Sequence, residues 1–180
     1  MAATHTLQAR IIALSHWLDL QIRRLCTLLL LSTTLVLLVG LSLNVALRYL
    51  LQGGGLGWAA ELPAFLFPWM IAAGIVMAVQ QGVHISIDIL SQRLGVKGRC
   101  TLALGVNILI VIAYLVLFNV ILTMMEIVSF ERSPLLDLPL SWAYAALAFA
   151  ALGTTLCSLT IALRIALQGQ AGLPAALEEN

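Results

Sequence analysis

Charged side chains are scarce in this sequence. Lysine and arginine together number 9, aspartate and glutamate 8, and the four types make up only 9% of the 180 residues. With a net charge of +1 there is no basic surface to attract a nucleic acid, and none is expected as a partner. Cysteine is rare as well. Cys26, Cys100 and Cys157 are far apart and form no CxxC pair. That excludes a disulfide framework and a zinc site, and the three read as small residues on helix surfaces. No Ser-His-Asp pattern, HExxH or glycine-rich phosphate loop is present, so no catalytic residue, cofactor or metal is expected.

Ionisable groups are missing where a membrane protein would use them. A protein that carries a polar solute alone places ionisable groups or broken helices near the bilayer midplane. Here the candidate midplanes read Thr34-Leu35-Val36-Leu37, Met70-Ile71-Ala72, Ile112-Ala113-Tyr114 and Leu152-Gly153-Thr154. The broken-helix signal, Pro63 and Pro68, is confined to one half of one span. A haem-holding membrane subunit needs axial ligands inside its bundle. His5 and His16 precede the first span and His84 follows the second, so haem is not expected.

What the sequence has in abundance is apolar length. Hydrophobic residues make up 62% of the chain, and mean hydropathy is +1.05. Runs of about eighteen or more apolar residues read as transmembrane helices. Four are predicted, at about residues 25–47, 58–80, 100–127 and 142–163. The first, twenty-three residues long, would rise about 35 Å, enough to cross the hydrocarbon core. Arg23-Arg24 before it could suggest a twin-arginine export signal. The run is too long for that, and no small-x-small cleavage site follows, so an uncleaved first span is the better reading.

Residues 1–24 read as an amphipathic interfacial segment, with Leu7, Ile11, Leu14, Leu18 and Ile22 at helical spacing and Trp17 suited to a headgroup region. Gly53-Gly54-Gly55 makes a short flexible turn. Gly74, Ala78 and Gly82 recur every four residues, which permits close helix contact. Ser141 is a candidate N-cap, and the Ala-rich fourth span with Gly153 suggests burial against other helices. Residues 25–166 form the transmembrane domain and residues 167–180 a weakly ordered tail.

The stretch between spans two and three is ambiguous in its periodicity. As a strand, Ile85, Ile87 and Ile89 alternate with polar residues, but a strand there would leave backbone groups unpaired near lipid. As a helix, Val83, Ile87, Leu90 and Leu94 form one stripe opposite His84, Asp88 and Ser91. An interfacial helix over about 83–94 is therefore predicted, with His84 and Asp88 as an i, i+4 pair. It serves either as a membrane-parallel connector or as a docking surface for another subunit.

Four spans place both termini on one side. That side carries Arg10, Arg23, Arg24, Arg93, Lys97, Arg99 and Arg164, whereas Arg48 and Arg132 lie on the other. The bias makes both termini cytoplasmic. The outer side also gathers Asn44, Arg48, Glu61, Asn119, Thr123 and Glu126. Two readings stay open for them: an intramolecular cluster, with Arg48 pairing Glu61 and the amides bonding across helices, or a surface that faces a partner.

Several features in order resemble the small membrane subunit of tripartite ATP-independent periplasmic (TRAP) transporters, the DctQ-type family. Arg48-Tyr49 closes span one. Trp58 and Glu61 open span two, with Trp69 and Gly74 inside it. His84-Ile85 and Ile87-Asp88 follow, and Leu138-Pro139, Trp142 and Tyr144 introduce span four. The chain departs from the family in having Ala60 and Leu62 beside Glu61 rather than a second acid, and in lacking a proline early in span four. The resemblance implies an all-α membrane protein of the bacterial inner membrane, not an enzyme. It implies a scaffold beside a large multi-span subunit (DctM-type), with a periplasmic substrate-binding protein (DctP-type) delivering an organic acid such as a C4-dicarboxylate or sialic acid. A sodium gradient would drive uptake. Arg48, Glu61, Trp69, Gly74, His84 and Asp88 become candidates for interface or structural roles, and membrane lipids complete the surroundings. A stand-alone four-helix transporter and a membrane anchor of a redox or other enzyme complex are the alternatives.

Overall fold

The computed structural model describes residues 2–50, 55–81 and 96–169. Four helices carry the fold: α1 (Ala2–Leu50), α2 (Leu62–Gln80), α3 (Val96–Val128) and α4 (Ser141–Gln168). Each lies in a stretch long and apolar enough to cross a membrane, as the hydropathy of the sequence predicts. The interfacial helix expected over 83–94, with His84, Asp88 and Gly82 beside it, lies outside the described residues, as does the tail from residue 170 onward.

The element boundaries differ from the sequence reading in informative ways. The division expected at residue 24 is not a break in the backbone, because one helix runs from Ala2 to Leu50. Nothing between Asp19 and Leu30 interrupts it: no proline or glycine falls there, and Arg23 and Arg24 are good helix formers. The second span does not begin as an α-helix at Trp58. A single 3-10 turn covers Gly57–Ala60, and α2 starts at Leu62. Pro63 accounts for the shift, since proline is accommodated in the first turn, where its missing N–H has no intrahelical acceptor. Ser141 does not cap α4. It is already helical, and Leu140 occupies the cap position without a side-chain bond. Backbone bonds from Trp142 N to the Pro139 carbonyl and from Ala143 N to the Leu140 carbonyl, both 3.0 Å, replace the cap. At its far end α4 runs to Gln168 and stops at Gly169, whose φ of 62° few other residues adopt readily.

Packing is organised around α4, the last of the described helices. It contacts α3 along one side and α2 along another, while α1 packs chiefly on α2. Half of the α4 span is buried, against 6% for α3. The Ala-rich composition read from the sequence is the cause: Ala143, Ala146, Ala150, Ala151 and Ala162 keep the α4 surface low enough for neighbours to approach closely. The closest approach is at Gly153, where a Cβ would stand 2.7 Å from Cγ2 of Val76. Gly74, which the four-residue repeat singled out, looks instead onto open space, with nothing within 4 Å of its would-be Cβ.

Three apolar clusters fill the contacts. Cys26, Ala73, Val76, Val79 and Cys157 join α1, α2 and α4. Cys26 and Cys157 are thus buried core residues with free thiols. Ala103, Ile161 and Ile165 join α3 to α4. Ala72, Ala146 and Ala150 pack with Trp69 and Phe149 between α2 and α4.

Candidate functional site

Two polar nodes tie the helices together, one near each end of the layer. At the end where α1 finishes and α2 begins, the turn after the 3-10 segment presents Glu61. Its carboxylate reaches across to the loop between α3 and α4. Ser133 Oγ donates to Oε2, Leu136 N donates to Oε2 at 3.1 Å, and Leu135 N lies 3.3 Å from both oxygens. The loop is folded for this contact. Ser133 N donates to the Leu138 carbonyl at 3.0 Å, Leu140 N to the Glu131 carbonyl at 2.9 Å, and Arg132 faces Pro139 in an isolated antiparallel bridge. Asp137 closes the turn with φ of 51°, a conformation aspartate tolerates better than bulkier residues do. Arg132 Nη1 meets Asp137 Oδ2 at 3.3 Å, but both side chains are well exposed, so this pair adds little.

The pairing of Arg48 with Glu61 does not form. Arg48 is exposed at the end of α1 and is not among the Glu61 partners. The physical reason is competition: adjacent backbone N–H groups and a hydroxyl on an ordered loop satisfy both carboxylate oxygens without the entropy lost in fixing a long arginine. Nor do the α3 amides bond across helices. Asn119 Nδ2 donates to the Leu115 carbonyl at 2.8 Å, and Thr123 Oγ1 donates to the Asn119 carbonyl at 3.3 Å, both within α3.

The opposite node, built on Asp19, escaped the sequence reading. Asp19 forms an ion pair with Arg164 of α4, and both side chains are about four-fifths buried. Thr160 Oγ1 donates to Asp19 Oδ1 at 3.0 Å, and Gln80 Nε2 donates to the Asp19 carbonyl at 3.0 Å. One residue of α1 thereby binds the last turn of α2 and the C-terminal part of α4. The available signal was an acid and a base at matching ends of two spans, but 145 positions separate them.

Trp69 lies between α2 and α4. Its ring centroid is 5.8 Å from that of Trp142 and 5.9 Å from that of Phe149, tilted against both. These tilted geometries suit aromatic quadrupoles and place Trp69 in the internal packing. Chemically, then, Glu61 acts as an acceptor clamp and Asp19 as a hub. Among the described residues no group of three or more His, Cys, Asp or Glu side chains could hold a metal ion.

A layer of four membrane-spanning helices, pinned by polar nodes at both ends, defines a multi-pass α-helical membrane protein. The family model for the DctQ component of tripartite ATP-independent periplasmic transporters matches residues 37–168, and the chain belongs to that family. Proteins of this family are transporter subunits of the bacterial inner membrane rather than enzymes. An uncharacterized Sinorhizobium fredii protein, y4mM, is 37% identical over 131 residues, 73% of this chain and 24% of the relative. The C4-dicarboxylate TRAP transporter small permease protein DctQ of Rhodobacter capsulatus is 41% identical over 58 residues, 32% of this chain and 26% of the relative. The sialic acid TRAP transporter small permease protein SiaQ of Vibrio cholerae is 31% identical over 77 residues, 43% of this chain and 44% of the relative. The chain matches less than half the length of each of these relatives.

Proposed function

We propose that this chain is the small, non-transporting membrane subunit of a sodium-driven TRAP importer of an organic acid. A large multi-span subunit carries the substrate beside it, and a periplasmic binding protein delivers that substrate. The observation that carries this reading is the placement of charge. Residues 25–47, 62–80, 100–125 and 142–163 contain no Asp, Glu, Lys, Arg or His. The outer carboxylate of Glu61 already has both oxygens engaged by the loop. Such a chain suits a scaffold, since a site for an organic anion needs donors or cations facing a cavity. The match to y4mM supports a larger working unit, because about three quarters of that relative lies beyond the aligned part.

The named relatives handle a C4-dicarboxylate and a sialic acid, and a carboxylate of that kind is the proposed substrate class here. Both termini are assigned to the cytoplasm on the arginine and lysine distribution. Within this reading Glu61 and Trp69 are structural, Arg48 and Gly74 face outward and are free to meet a partner, and His84 and Asp88 belong to a stretch proposed as a cytoplasmic connector along the membrane or a docking surface. The test is affinity purification of the tagged chain from native membranes in mild detergent. A large multi-span protein at near-equal stoichiometry is the expected result; recovery of the chain alone would end the scaffold reading.

A further inference from the structure

The outer side of α3 carries a pattern that the fold itself does not use. Gly105, Leu109, Ile112, Val116, Asn119 and Thr123 follow one another at spacings of four and three, and Glu126 continues the series. All face away from the bundle; Leu109 is 67% exposed and Val116 61%. Toward the inner end, the same stripe passes through an open groove lined by Gly98, Thr101, Leu102, Gly105, Val106 and Leu109. A Cβ at Gly105 would meet nothing within 4 Å. A repeat averaging 3.5 residues is the seam along which a second α-helix packs at a shallow left-handed crossing. The groove supplies the low point where a neighbouring backbone or large side chain can settle.

The outer half of the seam argues against a lipid neighbour. Asn119 donates one N–H to its own helix, which leaves its second N–H and its carbonyl oxygen without partners. The span that contains it is 31 residues, about 46 Å long, against a hydrocarbon core of about 30 Å. Asn119 stands nine residues, about 14 Å, from the end of α3 at Val128, inside the hydrocarbon boundary of a centred span. An amide facing lipid chains there is left unpaired at a cost. The outward face of α1 offers a contrast. Leu28, Leu31, Leu35, Leu38 and Val39 cover it, and Ser32 bonds back to its own helix, as suits contact with lipid.

The seam also argues against a second copy of this chain. Two copies inserted in the same orientation relate by a two-fold axis along the membrane normal, so each seam residue faces its own counterpart. Glu126 would then stand opposite Glu126, which is repulsive.

We infer that the α3 seam from Gly105 to Glu126 docks one transmembrane helix of the large membrane subunit, which presents hydrogen-bond donors opposite Asn119 and Glu126. This inference rests on the scaffold reading proposed above, and the experiment separates the two. A photo-crosslinking amino acid replaces Val116 in the tagged full-length chain, and a second version carries it at Leu35 of α1. Both are expressed with the neighbouring transport components and irradiated in membranes. Position 116 gives an adduct with the large subunit and position 35 does not. A paired Asn119→Leu, Thr123→Val variant, which leaves the bundle interior intact, lowers recovery of the large subunit about fivefold, equivalent to about 1 kcal/mol. If the wild-type chain recovers the large subunit but position 116 crosslinks only lipid or a second copy, the seam assignment is overturned and the scaffold reading stands. If the wild-type chain recovers no large subunit, both fall.

Discussion

Glu61 shows what one carboxylate does when the backbone supplies its partners. Replacing it with alanine frees the Leu135 and Leu136 amides, which are then expected to exchange hydrogen several-fold faster. Glu61→Gln keeps an acceptor oxygen and should accelerate them less; equal rates in all three proteins would remove Glu61 as the clamp. The Asp19–Arg164 pair is more deeply set. Arg164→Met leaves the largely buried Asp19 unneutralised, so a loss of about 2 kcal/mol is expected in thermal melts of the purified protein. Adding Asp19→Asn should restore part of that loss, with a coupling of about 1 kcal/mol in the double-mutant cycle. The sequence marked Glu61 as exceptional but not its partners, because backbone N–H groups carry no sequence signal. It did not mark Asp19 at all, since a charged residue near a helix end has a solvated explanation until a partner from a distant span is placed beside it.

At the scale of helices, the spans were legible and their contacts were not. Eighteen apolar residues in a row leave few alternatives, so all four spans were read correctly in number and order. Which small residue sits at a contact depends on helix rotation, and the small-residue repeat in α2 does not specify it. Gly153 and Gly74 provide the test. Gly153→Ala drives a methyl group into Val76 and should cost about 1–3 kcal/mol. Val76→Ala in the same chain should recover much of it. Gly74→Ala meets open space and should leave the melting temperature unchanged or raise it slightly, as the better helix former. If the two glycine variants melt alike, the close approach of α2 and α4 is misplaced. The continuity of α1 through residue 24 was also beyond the sequence, because an amphipathic segment followed by an apolar one reads identically whether or not the backbone bends between them.

For the molecule as a whole, the nodes order the ends. Asp19, Gln80 and Arg164 meet at one end, and Glu61 and Ser133 at the other. With the arginine-rich end assigned to the cytoplasm, a fluorescent protein fused after residue 180 should fluoresce. An alkaline phosphatase fused at Asp137 should be active in intact cells; the reverse pattern would invert the topology. Within this frame α4 holds the centre, yet it is the last of the described helices. Synthesis therefore runs ahead of assembly. As α3 leaves the ribosome and enters the bilayer, its one extensive neighbour among the described residues has not been made. A nascent chain stopped before Ser141 would carry three complete spans and still leave α3 solitary, a substrate for membrane quality-control proteases. The helix over Ser141–Gln168 thus decides whether the spans made before it survive.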